Sequence, residues 1–146
     1  MKKLLLAASL FALGAQAKAA LFINNNTGCP LNITMFAFDP AHPGCWGLQS
    51  NLITLGPSSS VSYTTVATLN TTAPFWYGGA MASISGGPTT WGWNAAKTFF
   101  TGGGGGSVGV ASCGVPASVT STACGTSVTL TWTPLPGTNN ILVEAN

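Results

Sequence analysis

Leu31-Asn32-Ile33-Thr34-Met35-Phe36-Ala37-Phe38 begins as an alternation, Leu31, Ile33 and Met35 against Asn32 and Thr34, and ends apolar on both faces. A period of two is the mark of a β-strand with one face buried. The same reading extends outward. Before this strand, Ala20 to Asn24 is a short first strand, closed by the turn residues Asn25-Asn26-Thr27-Gly28. After it, Leu52 to Leu55, Val61 to Ala67, Phe75 to Ser85, Val128 to Trp132 and Ile141 to Glu144 read as strands. Gly, Pro, Asn and Ser turns join them, and Gly78-Gly79 reads as a bulge or a close backbone approach. Asn94 to Lys97 has room for one helical turn at most. The expectation is an all-β chain: a single antiparallel β-sandwich of Greek-key or jelly-roll type, with about seven strands.

The stretch from Gly86 to Pro116 stands apart. It holds Trp91, Trp93, Phe99, Phe100 and the glycine run 102–106, and it reads as one long Gly/Trp-rich loop. Loops of that length are functional or mobile. The glycine run is not followed by the Lys-Ser/Thr pair that a phosphate-binding loop needs, so it reads as a connector.

The N-terminus carries an export signal by its pattern. Met1-Lys2-Lys3 is a basic start, Leu4 to Leu13 an apolar core, and Ala15-Gln16-Ala17 and Ala17-Lys18-Ala19 fit signal-peptidase cleavage. The expected cut follows Ala17 or Ala19, which makes 1–19 the signal and 20–146 one domain. The apolar run falls short of the roughly 20 residues a membrane span needs. The expected location is extracellular, at the cell surface or in the periplasm.

Charged residues make up 4% of the chain, against about a quarter in ordinary domains. Outside the signal region only Lys97, Asp39 and Glu144 remain, with the single His42. Nucleic-acid binding is excluded as an expectation, because so few cations cannot neutralise a phosphate track. The two carboxylates are the only candidates for an acid pair of the glycosidase kind, and nothing in their spacing brings them together. Asp39 and His42 share a loop with Pro40 and Pro43, where a metal site or a Ser–His–Asp arrangement is formally available and a plain turn accounts for the residues. The expectation is no enzyme, no metal and no cofactor.

Cys29, Cys45, Cys113 and Cys124 are expected to form two disulfides in an oxidising compartment. Of the three connectivities, Cys29–Cys45 with Cys113–Cys124 is favoured, because each pair brackets a short segment. Each such loop would contribute about 3 kcal/mol in the chain-entropy model.

Trp91, Trp93, Trp46 and Trp76 are the candidate ligand-binding residues. Exposed rings stack on the C–H faces of sugars and need no charge to do so. Trp91 and Trp93 share a side if extended, and that side is either core or contact surface. Trp132 reads as core. Thr129, Thr131 and Thr133 form a row on one strand, a pattern seen in ice-binding planes and equally in ordinary solvated strands. Sequons at Asn25, Asn32 and Asn70 matter only in a host that N-glycosylates.

The segment Leu21 to Ile33, LFINNNTGCPLNI, resembles the start of small exported bacterial β-sandwich proteins of a Bacteroidota-like kind. Its strand ending in Asn and Cys is also similar to the first hairpin of thaumatin-like proteins. The resemblance implies export and a β-fold. It covers that first hairpin and carries over no functional residue. The expected function is a non-catalytic secreted structural or adhesive protein, a self-assembling surface-matrix or fibre subunit. The alternative is a carbohydrate-binding module. The expected partners are a second copy or a neutral glycan.

Overall fold

Leu21, Ile23 and Asn25 are buried while Phe22 and Asn24 are half-exposed, and this alternation makes Leu21–Asn25 strand β1. The computed structural model describes residues 19–66, 68, 69 and 91–146. Residues 1–18 of the expected signal 1–19, the strand expected at Phe75–Ser85, Trp76 and the Asn70 sequon lie outside the described residues.

Ten strands are described: β1, β2 (Leu31–Phe38), β3 (Leu48–Gln49), β4 (Ile53–Leu55), β5 (Ser59–Tyr63), β6 (Gly92–Phe100), β7 (Gly105–Gly109), β8 (Ser118–Ala123), β9 (Thr126–Pro134) and β10 (Ile141–Ala145). They form two sheets. The first runs β5-β1-β10-β9-β8, and the second runs β3-β2-β6-β7 with β4 also on β2. The all-β expectation holds, with two corrections. There are ten strands rather than about seven, and the first sheet is mixed, because β1 runs parallel to β10. β3 and β4 lie on the same side of β2, interrupted where Ser50 completes the pairing of Met35 through its amide and its hydroxyl.

The core lies between the sheets. Leu21, Ile23, Leu130, Trp132 and Val143 from the first sheet face Leu31, Ile33, Met35, Trp93, Phe100 and Val108 from the second. Trp132 is core, as its strand pattern predicts.

In the described part of the stretch read as a long loop, Gly92–Phe100 and Gly105–Gly109 are strands. β6 is paired on both sides, by β2 and by β7, and Asn94 to Lys97 is strand with no helical turn. The glycine run is a connector only in part: residues 102–104 turn the chain from β6 into β7, and Gly105 and Gly106 open β7 itself, where it packs against β8. A Cβ on Gly104 would stand 2.2 Å from the Thr122 carbonyl oxygen, and one on Gly105 2.3 Å from that of Thr98. Both glycines have positive φ as well, and the Gly105 amide donates to Ser121 Oγ at 3.0 Å. These glycines close one side of the sandwich.

The disulfides correct the expected pairing. Cys29 bonds Cys124 and Cys45 bonds Cys113, with Cα separations of 6.1 and 5.5 Å. Cys29 follows the β1–β2 turn. Cys124 sits in the two-residue β8–β9 turn, where Cys124 and Gly125 both have positive φ, as a type I′ hairpin requires. Segments distant in sequence meet here, so the loops closed span 95 and 68 residues. The entropic contribution rises accordingly, to about 4–5 kcal/mol each in the chain-entropy model.

Candidate functional site

Strand alternation fixes what the outer face of the second sheet presents. On β6, Thr98 and Phe100 point to the core, so Lys97 and Phe99 point out, and both are exposed. On β4, Ile53 and Leu55 are buried; Leu52, one residue before Ile53, therefore stands on the outer side and is exposed. On β2, Phe36 turns outward and packs with Ala95, Val115 and Cys113 in a small cluster separate from the main core.

Trp46 completes this face. Its ring meets Phe36 edge to face, with centroids 4.7 Å apart and planes at 86°, and it remains 52% exposed. The loop beneath it is held at several points. The Asp39 carboxylate is buried and accepts from the His42 amide at 2.7 Å, with His42 Nδ1 at 2.8 Å. Gly47 donates back to the Gly44 carbonyl at 3.0 Å. Asn94 Nδ2 donates to the carbonyls of Gly44 and Cys45, both at 3.2 Å. The Cys45–Cys113 disulfide ties the loop to the short 3-10 turn Ala111–Cys113. Gly47 is required, because a Cβ there would stand 2.7 Å from the His42 carbonyl oxygen. An exposed indole is thus mounted on a loop that cannot easily move.

The other tryptophans differ. Trp93 is 3% exposed, and its Nε1 donates to the Ala19 carbonyl at 2.6 Å. Trp91 is half-buried against the same core. The pair does share a side, as an extended chain predicts, but that side faces inward. Trp93 offers no ring face to a ligand in this arrangement. Trp46, Leu52 and Phe99 are the exposed large apolar side chains among the described residues, and all three belong to one face.

Asp39 and His42 come together as the loop sequence allows, and their geometry locks a turn: each backbone also bonds the other, at 3.3 and 3.1 Å. Glu144 is on the other sheet, in β10, where Asn24 Nδ2 donates to it at 3.4 Å. The two carboxylates therefore stand apart, Asp39 in the loop after β2 of the second sheet and Glu144 in β10 of the first. Among the described residues no three of His, Cys, Asp and Glu converge. Thr129 and Thr120 pair across β9 and β8, hydroxyls 3.1 Å apart. The sequon asparagines Asn25 and Asn32 are both buried. Asn25 ties turns together, and Asn32 accepts from Thr54 Oγ1 at 2.8 Å.

Sequence reasoning missed Leu52, Lys97 and the bracing Asn94. The parity of Lys97-Thr98-Phe99-Phe100 would have exposed Lys97 and Phe99 once 92–100 was read as a strand. Nothing in the sequence points to Asn94. Comparison with family models, with curated proteins and with solved structures gives no match.

Proposed function

We propose that this chain is a non-catalytic, exported adhesive protein, and that it binds glycan through the outer face of its second sheet. The observation that carries the reading is Trp46: a half-exposed indole braced by a disulfide, an asparagine clamp and a closed turn. Holding a ring rigid while leaving it in water lowers the ordering cost of binding, and tryptophans so placed are typical anchors of interfaces. Phe99 and Leu52 extend the same face, and uncharged Gln49, Thr34, Thr54 and Ser107 lie between them. Two disulfides are compatible with an oxidising, exported location. No helix among the described residues is long and apolar enough to cross a membrane. The resemblance of Leu21 to Ile33 to exported bacterial proteins supports the same placement.

The reading is tested by presenting the oxidised protein to a panel of immobilised polysaccharides, beside its Trp46→Ala variant. Binding that Trp46→Ala abolishes is the expected result. A silent panel, with light scattering showing growth into large assemblies, would replace adhesion to glycan by self-assembly.

A further inference from the structure

We propose that the glycan bound by this face is an acidic one, a chain of uronic-acid residues, with Lys97 as the partner of a sugar carboxylate and Trp46 and Phe99 as ring platforms on either side. The inference rests on the binding role proposed above and names its ligand class.

Lys97 is the only Lys or Arg among the described residues. In a chain so short of charge, its position is informative. It is exposed, and it makes no ion pair among the described residues. Both carboxylates are placed elsewhere, Asp39 buried beside His42 and Glu144 on the opposite sheet beside Asn24. The ammonium group is thus left unneutralised on the same face as the three exposed apolar side chains.

The register sets out the order of groups. Phe99, Lys97 and Ala95 point outward in turn along β6, and Ala95 packs with Phe36, on which Trp46 rests. Each step of two residues is about 7 Å, so ring, cation and ring extend over roughly 13 Å. Across the strands Lys97 is flanked by Thr34 of β2 and Ser107 of β7, both half-buried hydroxyl residues. A polyuronate offers matching groups: C–H faces for the rings, hydroxyls for Thr34 and Ser107, and a monoanion on each sugar for one ammonium group.

Two other kinds of partner fit less well. A single lysine is worth only about 1 kcal/mol at an anionic membrane. The apolar side chains are also separated by polar ones, where a lipid or a hydrophobic peptide would favour a continuous patch.

The experiment uses the full disulfide-bonded protein in native affinity electrophoresis. The gels contain sodium polygalacturonate, fully methyl-esterified polygalacturonate or a neutral glucan. The ester keeps the sugar and removes the charge. Polygalacturonate should bind more tightly than its ester, and the preference should shrink as salt approaches about 0.5 M. Lys97→Gln should weaken polygalacturonate binding roughly three- to tenfold and leave the ester unaffected, while Lys97→Arg retains it. Trp46→Ala should weaken both polymers about fivefold or more. Equal binding of acid and ester, with Lys97→Gln unchanged, overturns the inference and leaves glycan binding intact. Retention by the glucan alone does the same. Failure of all three polymers, together with a silent polysaccharide panel, removes both proposals. Capture on phosphatidylserine vesicles without retention by polygalacturonate would replace the sugar acid by an anionic lipid.

Discussion

Replacing Asn25 by Ala should destabilise the protein more than any exposed substitution. The side chain is fully buried, and its Nδ2 donates to the carbonyls of Cys29 and Gly56, both at 2.8 Å. Its Oδ1 accepts from Thr27 N at 3.2 Å and from Thr27 Oγ1 at 2.6 Å. One amide thereby joins the β1–β2 turn to the β4–β5 turn, two of the points where the chain passes between the sheets. Each bond is worth about 1 kcal/mol net, and each carbonyl left dry and unpaired costs about 1–3 kcal/mol. Allowing for partial relaxation, the expected loss is about 3 kcal/mol. With a urea m-value of about 1.5 kcal/mol/M, the midpoint should fall by about 2 M at unchanged slope.

Asn25→Asp makes the sharper comparison. A carboxylate there faces two carbonyl oxygens in a buried site, so its pKa is pushed up by burial and by those acceptors. A folded-state pKa above the unfolded value means the extra penalty is absent below the unfolded pKa near 4 and grows as pH rises toward the folded one. Relative to wild type at each pH, Asn25→Asp should be worse than Asn25→Ala at pH 7 and recover toward it at pH 4. An Asn25→Ala variant within about 0.5 kcal/mol of wild type would refute the argument. So would an aspartate variant indifferent to pH.

Three further outcomes follow from the fold. Gly104→Ala and Gly105→Ala should each lower the thermal midpoint far more than Gly137→Ala, which shares the positive φ but meets nothing within 4 Å; equal effects would deny the close approach of Gly104 to β8 and of Gly105 to β6. Peptide mapping without reduction should recover Cys29 linked to Cys124 and Cys45 linked to Cys113, and recovery of either local pair would contradict the topology. On the proposal that the chain is exported and cut, sequencing the N-terminus of the product should read Lys18, because a cut after Ala17 keeps the Ala19 carbonyl that Trp93 donates to; a start at Ala20 would show that bond to be dispensable.

How far the sequence could be read depended on whether a segment advertises its own burial. β2 and β9 were legible because large apolar residues alternate with Thr and Asn, and β1 and β10 because short apolar runs end in turn chemistry. β6 and β7 were hidden by small residues: Gly92, Ala95, Ala96, Gly105, Gly106 and Gly109 fill strand positions where a neighbouring strand or sheet leaves no room for bulk. β8 was hidden by polarity, since Ser118, Thr120 and Thr122 face water on the outer side of the sheet and Ser121 takes an inner position. Disulfide partners were misjudged because nearness in sequence stood in for nearness in space, which a chain passing back and forth between two sheets reverses. The candidate face was half legible. Trp46 is visible as an aromatic in a proline-rich loop, but its exposure depends on Asn94 of β6 and Cys113 of the 3-10 turn, both distant in sequence. For Trp93, the parity with Trp91 was readable and the direction was not.

The most direct test of the account is polysaccharide binding by wild type and Trp46→Ala, with thermal midpoints measured on the same samples. Trp46 is about half in water, and its removal forfeits only an edge-to-face contact worth about 0.5–1.5 kcal/mol beyond its area. The account predicts that wild type binds, and that Trp46→Ala loses binding while staying folded with both disulfides. Undiminished binding by a folded Trp46→Ala protein would contradict it.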